Sequence, residues 1–282
     1  MTASCSFRIL AHQVTVSAPA DLLCRVNAFA GNDAEQDIPC RYRLSYSIAA
    51  GRDGCTLREE GAVFGRTALA EDAVLALAER LRLRILDYLA RGGWMLLHAG
   101  LATVAGRRTL LVGGPAASRA GLAARLLAGG ARVEGADVVA VRDGIAVACP
   151  FRLRLDSAAM AGLPGLAQRG ELPCFGGRGS AAAAAGDERI GVADPAVFGL
   201  PWRIEVGPAA ALLALDGSRA QDGAPAVLSP AAALRAVLAA QLGSFQLDGG
   251  EAVRQAARLI QSAHGGLLTA NPGTGLLPAA RR

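Results

Sequence analysis

The stretch LLVGGPAASRAGLAARLLAGG, residues 110–130, constrains the fold more than any other part of the chain. It opens as a short apolar run suited to a buried strand and breaks at Gly113-Gly114-Pro115. It then continues with Leu122 and Leu126 four residues apart, the spacing of one helix face. A strand that passes through a glycine turn straight into a helix belongs to α/β architecture. The flanks agree: a strand over 96–104, a tight turn at Gly106 and a second strand over 109–112 lead into it. Behind Gly130, ARVEGADVVAVRDGIAVACP reads as a strand, an acidic turn and a hairpin closed by Arg142-Asp143-Gly144.

Around this centre the pattern changes. Residues 7–64 alternate polar and apolar in short pieces (FRILAHQVTV, YRLSYSIAA, GAVFG), which predicts a small β-rich region. Thr67 is placed to cap a helix from Ala68, with Val74, Leu77, Ala78, Leu81, Ile85, Tyr88 and Leu89 at helical spacing and Gly92 as the stop. Residues 156–195, with GGRGSAAAAAGDERIG, read as a mobile loop or substrate-side insertion. PWRIEVGPAAALLALD resumes strand character, and SPAAALRAVLAAQL, capped by Ser229, and GGEAVRQAARLIQSAHG are helices. His264 sits at the end of the last one, where the helix dipole favours it.

Composition removes several classes. Hydrophobic residues make up 52% of the 282, yet no uninterrupted apolar run reaches the roughly 18 residues of a membrane span, and the N-terminus has no basic region followed by an apolar core. The expectation is a soluble, cytoplasmic protein without membrane contact. Six cysteines without a CxxC pair, beside three histidines, are expected to be reduced and mostly buried. All 29 basic residues are arginine, so no lysine can serve as phosphate ligand, Schiff base or general base. The arginines are scattered, in pairs such as Arg107-Arg108, and read as solvated surface charge rather than a nucleic-acid footprint.

A phosphate loop of the form G-x-x-x-x-G-K-[ST] needs glycines so that backbone N–H groups face the phosphate, a lysine for the β and γ phosphates, and a hydroxyl for magnesium. Begun at Gly113, the pattern puts Ser118 at the second glycine, Arg119 at the lysine and Ala120 at the hydroxyl; begun at Gly114, it puts Ala120 at the lysine. The first register keeps Leu122 and Leu126 on the inner helix face and is preferred. The phosphate-binding candidates are then Gly113, Gly114, Ser118 and Arg119. A guanidinium binds phosphate in a fork but is bulkier than an ammonium in a tight anion nest.

His98, this loop and Asp137 together resemble the HPr serine kinase/phosphorylase family in its catalytic domain, over LHAGLATVAGRRTLLVGGPAASRAGLAARLLAGGARVEGADVVAV and, more loosely, PFRLRL. The resemblance implies a P-loop kinase-like core with a mixed sheet and flanking helices. Residues 92–270 would form it, preceded by a β-rich region over 1–66 and a connecting helix over 67–91, and followed by a tail over 271–282. His98 matches the family histidine and Gly135-Ala136-Asp137 its paired aspartates, which makes His98 and Asp137 the catalytic candidates and Asp137 the metal ligand. Ala136 replaces the first aspartate, the acid/base. With Arg119 for lysine and Ala120 for the hydroxyl, the pattern implies a regulatory or scaffolding pseudokinase with a protein or peptide partner. ATP and Mg2+ would bind weakly or not at all. Two alternatives stand beside it: an active serine kinase using Arg119 and a relocated carboxylate (Glu134, Asp143 or Asp156), and a structural partner of a biosynthetic or transport complex that takes no nucleotide. Family resemblance also allows a homo-oligomer.

Overall fold

The computed structural model describes residues 2–31, 33–163, 174–175, 190–215, 226–263 and 266–270. Strands β1 (Thr2–Ile9) and β2 (His12–Pro19) form a hairpin; α1 (Ala20–Ala30) and β3 (Glu35–Gln36) lead to β4 (Tyr42–Gly51), β5 (Gly54–Glu59) and β6 (Ala62–Thr67). Helix α2 (Ala70–Arg91) is followed by β7 (Met95–Val104), β8 (Arg107–Gly113), α3 (Ala116–Ala128), β9 (Val133–Gly135), β10 (Val138–Arg142) and β11 (Ile145–Ala148). Next come β12 (Leu153–Leu155), the short α4 (Ser157–Ala161), β13 (Cys174–Phe175), β14 (Ile190–Ala193), β15 (Arg203–Ile204) and β16 (Gly207–Pro208). Then come β17 (Ala211–Leu215), β18 (Ala226–Val227), α5 (Pro230–Ala239), α6 (Gly249–Ser262) and β19 (Leu267–Ala270), with short 3-10 turns at Pro195–Phe198 and Gly243–Phe245.

The chain is mixed α/β. The N-terminal sheet has the order β1-β2-β4-β5-β6, and β2 and β4 are parallel. Parallel neighbours need a crossover, and α1 supplies it, burying Leu22, Val26 and Phe29. Residues 2–67 thus carry five strands of one sheet together with a helix. The large sheet runs β16-β11-β10-β7-β8-β17-β19-β18, with β9 also on β7. It is antiparallel on one side and parallel from β8 through β17 to β19. Both faces are covered: Leu96, Val138 and Ala140 pack in the cluster of α2, Leu111 and Leu213 in that of α3, and Met95, Leu97, Leu110 and Val112 in that of α5 and α6.

Helix α2 is more than a connector. Its buried residues, Val74, Leu77, Leu81, Ile85 and Leu86 among them, share one core cluster with the N-terminal sheet, α1 and the near face of the large sheet. It starts two residues later than expected. Leu69 stands at the N-cap, and Thr67 Oγ1, instead of accepting from the helix, donates to the carbonyl of Leu69 at 3.0 Å. Ser229 caps α5 as expected, accepting from Ala232 N–H. Of the free cysteines, Cys55 and Cys149 are buried, Cys5 half-buried, and Cys24 and Cys40 exposed, so burial of most of them is not found. Among the described residues no helix is long and apolar enough to cross a membrane. Most of the glycine- and alanine-rich segment, Arg178 in it, as well as His264 and the tail, lie outside the described residues. The described parts of that segment include α4, β13 and β14, the last a strand between β12 and β13.

His12, at the start of β2, is buried against Tyr42 and Tyr88, with ring centroids 5.2 and 4.7 Å away, and its Nδ1 has no hydrogen-bond partner. Burial first, and the charge of Arg84, hold its pKa below the ordinary value against a backbone hydrogen bond to Ile9. The unfolded chain, with a histidine pKa of about 6.5, takes up the proton that the folded chain refuses, so stability falls as pH drops below that value. His12→Phe is expected to flatten the loss between pH 6.5 and 5 in urea denaturation (about these limits, from the model histidine value). An unchanged slope would remove His12 from the account.

Candidate active site

The candidate site lies where β8 and β17 end. The parallel register sets Leu215 beside Gly113, so both strands release their chains at one level, the usual ligand side of an open α/β sheet. A cleft of about 470 Å³ opens there, lined by His98, Val112, Gly113, Gly114, Ala116, Arg119, Ala214, Leu215, Ala236 and Ala239 of α5, and Ala240 just after it. The small α5 side chains leave the space, and His98 and Arg119 are its titratable groups.

The loop is shorter than a phosphate loop. Gly113 and Gly114 have φ of +83° and +66°, a left-handed pair that glycine adopts without strain. Pro115 follows at φ −60°, and α3 begins at Ala116 without a side-chain cap. Two alanines after a proline are strong helix starters, so the chain turns helical before a wide loop can form. Ser118, expected in the turn, therefore lies in the first turn of α3, and Arg119 one residue beyond it. Ala120 is buried where α3 packs on the sheet and offers a methyl group where a hydroxyl was sought.

Arg119 is 2% exposed. Its Nη1 donates to the carbonyls of Gly114 at 2.6 Å and Gly113 at 3.2 Å, and its Nε to that of Ala136 at 3.4 Å. Burial lowers its pKa, opposed by the charge of Asp137; the group remains a cation, as a guanidinium does throughout the physiological range. The loop thus directs carbonyl oxygens at the chain's own cation, a polarity opposite to that of an anion nest.

Asp137, half-buried before β10, accepts from Arg82 Nε of α2 at 3.0 Å, and Arg82 also pairs with Glu79. His98 N–H bonds the carbonyl of Ala240, and Ala99 N–H that of Asp137, which fixes both candidates at the point where β7 passes from β10 to β8. The imidazole of His98 is held below its ordinary pKa by burial, then by Arg119 and Arg82, with Asp137 opposing, and is neutral at pH 7. No family profile matches the chain, and no curated protein is significantly similar to it.

The structure gathers His98, Gly113, Gly114 and Arg119 around the cleft, with Asp137 in electrostatic reach of His98 and Arg119. None of the three relocated carboxylates lines it. Glu134, 1% exposed, is held by Arg108; Asp143 pairs with Arg258 in the β10–β11 turn; Asp156 accepts from Ala159 N–H at the start of α4. Sequence reading missed Arg82, which carries no motif and reaches Asp137 from 55 residues away.

Proposed function

We propose that this chain is a degenerate P-loop kinase-like protein that serves as a regulatory or scaffolding pseudokinase, with a protein or peptide partner and weak or no ATP binding. Support for the P-loop kinship comes from a strand, two left-handed glycines and a helix at the carboxyl edge of a parallel strand pair. The observation that carries the loss of activity is Arg119, buried and bonded to the carbonyls of Gly113 and Gly114 where a phosphate lysine would stand.

The donors do not fit magnesium-ATP. Ala120 has no oxygen for the metal, Ala136 no carboxylate for the hydroxyl proton, and Asp137 is already paired with Arg82. Phosphoryl transfer depends almost wholly on positioning and charge stabilisation, and each lost stabilising contact costs on the order of 10² to 10³ in rate. Three absent together leave negligible turnover. The Arg119 geometry also weighs against the active-kinase alternative, because a guanidinium turned into its own loop is not presented to a γ phosphate.

Calorimetric titration with ATP and ADP, each with and without magnesium, tests this reading. The expected dissociation constant is millimolar or weaker (about −4 kcal/mol or less favourable), indifferent to magnesium, with no phosphate transferred to serine peptides. Magnesium-strengthened binding together with transfer to serine would overturn it.

A further inference from the structure

The chain has three tyrosines, two tryptophans and three histidines. Tyr46 and Trp202 are buried, one hydrogen-bonded to Glu59 and the other to the carbonyl of Glu134. The remaining tyrosines and tryptophan, with His12, collect at one place where the N-terminal sheet, the end of α2 and the start of the large sheet meet. Tyr42 is 44% exposed; its ring lies 4.8 Å from that of Tyr88 and stacks on His12 beneath. Trp94, half-buried just after α2, lies under Arg142, whose guanidinium carbon is 4.8 Å from the ring centroid and whose Nη1 donates to the carbonyl of Gly92.

Two cations flank the rings. Arg41 and Arg142 are both exposed, both act electrostatically on the Tyr88 hydroxyl, and neither pairs with a carboxylate among the described residues. Tyrosine, tryptophan and arginine are the side chains that dominate binding energy at protein interfaces, because large rigid area comes with little entropy to lose and the guanidinium bonds carboxylates in a fork. The four arginines of the neighbouring helix α2 are all engaged by acids: Arg80 and Arg84 with Glu59, Arg82 with Asp137, Arg91 with Asp87. Arg41 and Arg142, beside the aromatic cluster, have no such acid partner among the described residues.

We propose that Tyr42, Tyr88, Trp94, Arg41 and Arg142 form a docking surface for an acidic segment of another protein, whose carboxylates reach the two arginines while its apolar groups lie on the rings. Charge complementarity selects this occupant. A nucleic acid would need open ring faces and a row of cations along its backbone. Here one face of Tyr42 is covered by His12, one face of Trp94 by Arg142, and the cations number two. None of these residues lines the cleft at Gly113, so a failure here and a failure of the nucleotide reading are separately visible.

Trp94 is the partly exposed tryptophan and Trp202 a buried background, so intrinsic fluorescence reports on the patch. Titrating the full chain with a short peptide of alternating glutamate and leucine is expected to change the Trp94 emission, with affinity falling as salt rises. Arg142→Glu, Arg41→Glu and Tyr42→Ala should each weaken binding about tenfold or more. Arg41→Glu is the stringent variant because that side chain makes no hydrogen bond or ion pair among the described residues. Arg52→Glu, in the turn at the far end of β4, should change it little. No saturable binding, equal loss from Arg52→Glu, or equal binding of oligothymidylate would each overturn the proposal.

Discussion

Glu134→Ala is expected to lower stability by about 3 kcal/mol, at the low end of the 3–5 kcal/mol for breaking a buried ion pair. Glu134 is 1% exposed, and its two carboxylate oxygens take Arg108 Nε at 2.7 Å and Nη2 at 2.9 Å, with Glu205 N–H on the second oxygen at 3.1 Å. Removal leaves a largely buried guanidinium beside β8 without a paired carboxylate, the charge of Glu205 acting on it only from beyond ion-pair distance. The remaining bonds of Arg108 to the carbonyls of Gly207, Pro208, Ala146 and Glu205 moderate the cost, which is why the lower figure applies. In a chain of this size the melting temperature should fall by roughly 6–12 °C. Glu205→Ala is the comparison, because its pair with Arg132 is partly exposed on both sides and such a pair contributes about 1 kcal/mol or less. Equal melting temperatures for the two variants would show that the buried pair does not hold β8, β9, β11 and β16 together.

That network also marks the limit of what the sequence reveals. Arg107-Arg108 reads as one more pair of scattered surface charges, yet Arg108 is a largely buried cross-link whose partners lie 26 to 100 residues away. Arg119 and Arg152 follow the same rule. Arg152 donates to the carbonyls of Ala28 and Gly31 at the end of α1 and pairs with Asp194. A guanidinium has five donors in a rigid plane, and in a chain without lysine it is the long side chain that satisfies inward-facing carbonyls. Residue type alone cannot say whether such a fork points to water or to backbone.

Local signals fare better. The β7–β8 hairpin, the β10–β11 hairpin over Asp143 and Gly144, and the Gly92 stop of α2 each depend on residues within a few positions, and each is found. Helix α1 was legible in part, since Leu22, Val26 and Phe29 recur at helical spacing, but the parallel pairing of β2 with β4 that demands a crossover there is not local. The early start of α3 was open to reading, since Pro115-Ala116-Ala117 favours helix as strongly as the Gly-Gly before it favours a turn.

On the proposed P-loop reading, completing the loop should raise nucleotide affinity. Ser118→Gly, Arg119→Lys and Ala120→Ser combined are expected to strengthen ATP binding at least about tenfold. A charge-assisted hydrogen bond contributes roughly 1.5–3 kcal/mol and each 1.4 kcal/mol is a factor of ten. Arg119→Lys frees the carbonyls of Gly113 and Gly114 from the fork that holds them and supplies a compact ammonium. Ser118→Gly loosens the first turn of α3, at a helix cost of about 1 kcal/mol or less, and lets its N–H groups turn to an anion. Ala120→Ser adds the metal hydroxyl, so the gain should depend on magnesium. Arg119→Lys alone should gain less, because the stiff turn at Ser118 and the methyl of Ala120 remain. Transfer to serine should stay absent in the triple variant, since Ala136 still lacks a carboxylate and Arg82 still holds Asp137. A folded triple variant with no gain in calorimetry would mean that the Gly113–Arg119 turn was never a phosphate cradle, and the kinase kinship would fall with it.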